Sequence, residues 1–203
     1  QDGVRAHGDR AVALLDGVVA VASRRDGMRF EALDYAVQNV EVRGAGRDGF
    51  AFLGKRYRVQ AARATGSHRY GYSVLGGDGI IGAPGAGAVA EGSGMAGFWV
   101  MGMGLQLLDC VATGGMKDGL HLMGMHFEVR GCTASGNAGT GITGDGMGWR
   151  FSGNQADDNG VHGITVEGMD VIDEGGNRGS GNRGVGLHVP VAQCVIGDRV
   201  CRP

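Results

Sequence analysis

Two carboxylates stand at a spacing that would let them act on one substrate. Asp145 and Glu167 are 22 residues apart, and three histidines, His121, His162 and His188, fall at related positions. Carboxylates roughly 5 Å apart serve as acid and nucleophile in retaining glycosidases, and oxygen ligands of this kind can also hold a cation. These five residues are therefore the candidate catalytic set. Stacked charges on a solvent-facing strand are the alternative interpretation.

The elements that would position these side chains follow from a repeat. A glycine followed by a large apolar residue recurs at 27, 49, 71, 97, 119, 141, 163 and 186, mostly 22 residues apart. Apolar residues then alternate with other types, as at Leu120 and Leu122, and again at Phe127 and Val129, which is the period of a β-strand. Helix-containing repeats need about 33 to 47 residues. Short strands in so short a repeat predict a β-solenoid.

Three strings between residues 118 and 189 share a spacing of Asn, Gly and Gly-Ile or Gly-Leu: SGNAGTGI, DDNGVHGI and SGNRGVGL. They resemble the pectin-lyase-like right-handed parallel β-helix superfamily, and the resemblance covers essentially the whole chain. It implies an all-β, right-handed parallel β-helix of about eight 22-residue coils, over residues 1–189. That superfamily includes polysaccharide lyases, glycoside hydrolases, uronate epimerases, phage tailspikes and adhesins, so the fold does not specify the activity.

Stacked coils turn sequence spacing into columns of neighbouring side chains. One outward column contains Trp99 and His121, and the next contains four apolar residues followed by Asp145 and Glu167. The exposed apolar strip predicted beside Trp99 consists of Leu53, Leu75, Met101 and Met123. Such a strip usually marks a partner surface. Alternatively, this column turns inward near a corner.

A further column holds methionines. Met103, Met125, Met147 and Met169 follow one another at intervals of 22 residues, and part of the column lies in the string HLMGMH. Thioethers and imidazoles together would suit a soft metal such as Cu(I). Methionine also fills irregular cores, and we interpret this column as a ladder inside the core. We predict no metal site and no cofactor.

The four cysteines suggest two different situations. Cys194 and Cys201 flank Gly197 in a segment, residues 190–203, that leaves the repeat. A hairpin would bring them within disulfide reach, so we predict a C-terminal cap closed by that bond and an oxidising compartment: secreted, cell-surface or periplasmic. Cys110 and Cys132 are 22 residues apart. They form either a second disulfide between adjacent coils or a pair of buried thiols.

Composition limits the function classes. The 203 residues provide one sizeable domain, and the net charge of −2 gives no general reason to expect nucleic acid as a partner. No apolar run approaches the roughly 18 residues of a membrane helix, so we predict no membrane insertion. Gln1 at the first position is what a processed, mature N-terminus would leave.

Two functions remain from these observations. The first is a non-enzymatic extracytoplasmic solenoid that serves as a scaffold or assembly subunit, associating with itself through its ends or through the apolar strip. Head-to-tail stacking of open ends would give a filament. The alternative is a polysaccharide-binding or polysaccharide-cleaving β-helix of the lyase, glycosidase or epimerase type. We favour a non-enzymatic protein, because no Lys or Arg accompanies Asp145 and Glu167 as a lyase base.

Overall fold

The computed structural model describes residues 1–8, 13–188, 194–196 and 199–201. Every regular element in these ranges is a β-strand. Within the same ranges, no helix is long and apolar enough to cross a membrane.

The strands are short and follow one another closely along the chain. The first twelve are β1 Val4–Gly8, β2 Ala13–Asp16, β3 Val19–Val21, β4 Met28–Leu33, β5 Tyr35–Arg43, β6 Phe50–Lys55, β7 Arg58–Thr65, β8 Tyr72–Gly77, β9 Ile80–Gly82, β10 Val89–Glu91, β11 Phe98–Met103 and β12 Gln106–Leu108. The others are β13 Val111–Thr113, β14 Leu120–Met125, β15 Glu128–Arg130, β16 Thr133–Ser135, β17 Ile142–Met147, β18 Arg150–Ser152, β19 Ile164–Met169, β20 Val171–Asp173, β21 Leu187–His188, β22 Cys194–Ile196 and β23 Arg199–Cys201.

Sheet A contains the strand that follows each repeat glycine. Its nine strands lie in the order β1-β4-β6-β8-β11-β14-β17-β19-β21, and every neighbouring pair is parallel. The register equals the sequence repeat: Leu120 pairs with Ile142, and Ile142 pairs with Ile164. The predicted parallel β-helix of 22-residue coils is confirmed.

Sheet B forms the rest of the coil. In the early coils single long strands, β5 and β7, cover its full width, and both contain a residue of positive φ, Asn39 or Ala61. From the next coil onward this width is divided between two strands, such as β9 and β10. That coil has four extra residues in the glycine-rich string of residues 76–87. They lie in the turn after β9, and β9 itself is a paired strand with a buried Ile81.

The core is a set of stacks running along the solenoid. Aromatic rings fill its first half, and the rings of Tyr72 and Phe98 are 4.4 Å apart and nearly parallel. Aliphatic residues such as Leu120 and Ile142 occupy the same column in later coils. At one corner, Asn159 accepts the backbone N–H of Asn137 at 3.0 Å and donates to the Ala134 carbonyl at 2.9 Å. Each amide therefore satisfies buried backbone groups of the adjacent coils.

The structure describes the two cysteine pairs to different extents. Strands β22 and β23 are antiparallel and place Cys194 opposite Cys201 in the backbone register. The side chains of both cysteines lie outside the described residues, so the bond between them stays a prediction, as does the division into a helix of residues 1–189 and a cap of residues 190–203. Cys110 and Cys132 are buried thiols with no disulfide, and Cys132 Sγ lies 3.5 Å from the Leu107 carbonyl oxygen.

The methionine column does not fill the core, so that interpretation was wrong. Met103, Met125 and Met169 have exposed fractions of 48%, 40% and 64%. The physical reason is the alternation of the strand: β11 continues as far as Met103, so Trp99, Met101 and Met103 all point away from the buried Phe98 and Val100.

Candidate functional site

The outward face of sheet A carries the side chains that could act on a ligand. Two outward columns are in the predicted register: Trp99 pairs with His121, and Met123 pairs with Asp145. Because neighbouring strands are roughly 4.8 Å apart, side chains of one column are close neighbours along the solenoid axis.

An aromatic pair marks the centre of this face. The rings of Tyr70 and Trp99 are stacked, with centroids 5.5 Å apart and an interplanar angle of 15°. The guanidinium of Arg69 lies 4.9 Å from the centre of the Tyr70 ring and is paired with Asp48 at 2.6 Å. Both rings remain partly exposed. Aromatic faces of this kind provide apolar contact area at a surface that is otherwise polar.

One coil further along, an acid and a histidine are joined. His121 Nδ1 lies 2.9 Å from Asp118 Oδ2, and the other carboxylate oxygen accepts the Thr140 N–H at 2.8 Å. Burial works to raise the pKa of the Asp118 carboxyl, but the hydrogen bonds from His121 and Thr140 outweigh it and hold that pKa below its usual value. The carboxylate thus orients the imidazole and leaves Nε2 for a ligand.

The two carboxylates of the predicted catalytic set lie together. Asp145 and Glu167 are register partners on β17 and β19, and both are exposed. They line a hollow of about 190 Å³ together with His121 and Thr143. The structure therefore brings His121, Asp145 and Glu167 into one site. No Lys or Arg contributes to the lining of this hollow.

The other two histidines of the set form a separate pair. The rings of His162 and His188 are stacked with centroids 5.8 Å apart. His162 Nδ1 accepts the backbone N–H of Val185 at 3.1 Å, so this ring nitrogen supports the next coil. Neither histidine lines the hollow of Asp145 and Glu167.

Three hollows form one groove along sheet A, which we call the outer groove. A hollow of about 360 Å³ and a second of about 250 Å³ share Tyr70 and Trp99, and the second shares His121 with the hollow of Asp145. The outer groove extends from Arg29 on β4 to Glu167 on β19. Six strand spacings give a length of about 29 Å.

The predicted apolar strip lies on the same face. Leu53, Leu75, Met101 and Met123 follow one another in register, and each is at least partly exposed. The alternative, in which this column turns inward, was wrong. Leu53 and Leu75 line the outer groove near Trp99, and Met123 lines it near Asp145.

Sequence reasoning missed the residues that come from the corner before sheet A. Tyr70, Asp48 and Asp118 each precede a repeat glycine and form the wall of the outer groove. Asp48 is buried although charged, since Arg69 and backbone groups surround it. The available signal was the recurrence of a basic residue followed by aspartate before the glycine.

Fold and site together define a right-handed parallel β-helix with a long open groove on one sheet. The model of the family described as right handed beta helix region matches residues 34–192. The chain belongs to this family.

Solved structures show the same fold at low sequence identity. One mutant of the periplasmic alginate epimerase AlgG superimposes with a TM-score of 0.68 and 13% identity, covering 87% of this chain and 49% of that chain. A second AlgG mutant gives 0.56 and 14%, covering 84% and 50%. The chain thus spans about half the length of these structures. No curated protein matches the sequence.

Proposed function

We propose that the chain binds a polysaccharide along the outer groove and that the residues around His121 act on it. The observation that carries the proposal is the continuity of the groove: a stacked aromatic pair is followed, one coil later, by Asp118 and His121 and then by two carboxylates. An elongated groove of about 29 Å accommodates several sugar rings in a row, which a compact metabolite would not need.

The parts of the outer groove have distinct roles in this proposal. Tyr70 and Trp99 supply a flat surface on which the apolar face of a sugar ring rests. His121, held by Asp118, transfers a proton at the ring above it, because an imidazole can act as a general acid or a general base. Asp145 and Glu167 supply the carboxylates of the reacting subsite. The likeness to an alginate epimerase supports a polysaccharide as the ligand.

Glycan binding tests this proposal. The chain should bind at least one member of a panel of acidic and neutral polysaccharides, measured by affinity electrophoresis and calorimetry. Trp99→Ala should abolish binding, because it removes half of the aromatic surface. Gln60→Ala, on the outward side of sheet B, is the matched control and should bind like the wild type. A chain that binds none of these glycans would contradict the proposal.

Product analysis separates binding from chemistry. Wild-type protein incubated with the bound glycan should change its composition or length, whereas Asp145→Asn and Glu167→Gln should keep the affinity and lose the conversion, because both substitutions preserve side-chain size. If the wild type binds the glycan without converting it, the chain is a carbohydrate-binding protein, and the catalytic part of the proposal is wrong.

Exposed apolar residues of the first coil favour a second function, self-association. The inward residues Val4 and Ala6 of β1 are only partly covered, and Leu14, Val19 and Val21 at the same end are exposed. Residues 1–100 carry 12 basic and 10 acidic side chains, whereas residues 101–203 carry 7 and 11. Net charges of +2 and −4 on the two halves favour head-to-tail contact. This supports the scaffold proposal, in which copies stack through their ends.

Sedimentation velocity tests self-association. Sedimentation should become faster with concentration, and Val19→Lys should suppress this change because it places a charge on the exposed apolar surface of the first coil. Arg130→Ala, within a side-chain ion cluster on sheet B, serves as the control. A wild-type chain that stays monomeric at every concentration would contradict the scaffold function.

We also propose an extracytoplasmic location. The AlgG structures are of a periplasmic protein, and the predicted bond between Cys194 and Cys201 requires an oxidising compartment.

A further inference from the structure

Six of the nine methionines lie together on the outward face of sheet A. Met103, Met125, Met147 and Met169 form one column in which each pairs with the next across neighbouring strands. Met101 and Met123 pair in the adjacent column. We call the first four the methionine column. Their side chains are at least partly exposed, Met169 to 64%.

The geometry of the strands brings neighbouring thioethers of the column within reach of one ion. Neighbouring strands are roughly 4.8 Å apart, and a methionine side chain has three rotatable bonds, so adjacent sulfur atoms can converge. The residue before each of these methionines is a glycine: Gly102, Gly124, Gly146 and Gly168. No side chain at these positions crowds the column.

The surroundings favour a cation. Asp145 and Glu167 stand two residues before Met147 and Met169 on the same strands and face outward with them. Neither Lys nor Arg occurs in β11, β14, β17 or β19. His126 follows Met125, and its ring lies against Gly148, the residue after Met147. The imidazole therefore lies close to the chain just beyond the methionine column.

We propose that the methionine column binds a soft monovalent cation, Cu(I) or Ag(I). Thioether sulfur is a soft ligand that selects such ions over Zn²⁺, Mg²⁺ or Ca²⁺, which prefer thiolate, imidazole or oxygen. Binding involves donation of sulfur lone pairs and no change of oxidation state. The site lies beside the outer groove and does not depend on the polysaccharide proposal.

Methionine methyl NMR with Ag(I) tests the site directly. In protein labelled at the methionine methyl groups, Ag(I) should shift the signals of neighbouring members of the column, Met103, Met125, Met147 and Met169, and the shifts should saturate. The buried Met28 and the isolated Met116, which is 69% exposed, are internal controls and should not move. Because the readout is specific for methionine, silver bound at the cysteines does not imitate it.

Substitution by leucine separates a metal site from an apolar surface. The quadruple variant Met103→Leu, Met125→Leu, Met147→Leu and Met169→Leu keeps the size and apolar character of the column but removes its sulfur. It should take up less Cu(I) than the wild type in competition with a chromogenic chelator, whereas Met116→Leu should take up as much as the wild type. Far-UV circular dichroism confirms that the variant is folded, and glycan binding should be unchanged.

Three results would overturn the proposal. These are unshifted signals for the methionine column, a shift of Met116 at the same silver concentration, and a leucine variant that takes up as much Cu(I) as the wild type. Under the second result the chain binds silver through any exposed thioether. Under the other two the column is an apolar surface without a metal.

Discussion

At the residue scale, the aspartate that precedes a repeat glycine has different partners in different coils. Asp48 and Asp118 occupy equivalent places before a repeat glycine, and in both cases a carboxylate oxygen accepts a backbone N–H of the next coil. Asp48 is also paired with Arg69, whereas Asp118 is paired with His121. Because its partner is a histidine and not an arginine, the Asp118 pair is capable of proton transfer.

The Asp118 carboxylate should make the unfolding free energy of the chain depend on pH in the acidic range. Its pKa is lowered in the folded chain, so the ionised carboxylate adds to the unfolding free energy. This contribution is fully present above the unfolded pKa of roughly 3.9 and is lost as the pH falls through the folded pKa. The unfolding free energy of the wild type should therefore decrease more steeply below about pH 4 than that of Asp118→Asn. Urea titrations between neutral and acidic pH measure this difference.

The control for this experiment is an exposed acid of the same type. Asp170→Asn, at the end of sheet A, should keep the acid dependence of the wild type. Equal slopes for wild type and Asp118→Asn would show that the hydrogen bonds to His121 and Thr140 do not stabilise the folded chain.

Individual residues were predictable where the repeat alone determines them. The pairing of Asp145 with Glu167 follows from a spacing of 22 residues and the stacking of coils. The contact of Tyr70 with Trp99 does not, because it joins residues of different coils across a corner whose angle the alternation does not define. The methionines were misplaced because a typical core filler was expected to be buried, although strict alternation puts Met103 outside.

At the element scale, glycines shape the strands of sheet A. Gly146 has φ +150°, and a Cβ there would overlap the Gly124 carbonyl oxygen of the preceding coil. The backbones of adjacent coils therefore approach closely between the two outward columns. The side chains of Asp145 and Met147 therefore lie on either side of Gly146, which has no side chain.

Substitution at Gly146 should be severe. Gly146→Ala should lower the unfolding free energy by about 3 kcal/mol or more, because the added methyl meets rigid backbone and the residue has a conformation that favours glycine. Gly66→Ala is the matched control: φ is also positive, +63°, but nothing lies within 4 Å of the added atom. That control should cost about 1 kcal/mol. Chemical denaturation measures both, and equal losses would exclude the close contact as the cause.

Elements were predictable to different degrees. The strand after each repeat glycine was located correctly because its alternation is regular. The long strands β5 and β7 were not foreseen, since they bend at Asn39 and Ala61 instead of ending there. Strand β9 was missed within a glycine-rich string, where its pairing with β7 and β12 overrides low strand propensity.

At the scale of the whole molecule, repetition explains both the fold and the groove. Each coil buries its inner face only by stacking on its neighbours, so the core and the outward columns extend together along one axis. The parallel β-helix was therefore predictable from the glycine interval. The outer groove was not, because its wall consists of corner residues such as Tyr70 and Asp118 that lie outside the strands.

Tryptophan fluorescence during glycan titration is the most direct test of the outer groove as the polysaccharide site. The chain has two tryptophans: Trp149 is fully buried, and Trp99 lies in the groove. A bound glycan should change the emission of the wild type and of Trp149→Phe, and should leave the emission of Trp99→Phe unchanged. A glycan that binds with full affinity while Trp99 reports no change would contradict binding in this groove.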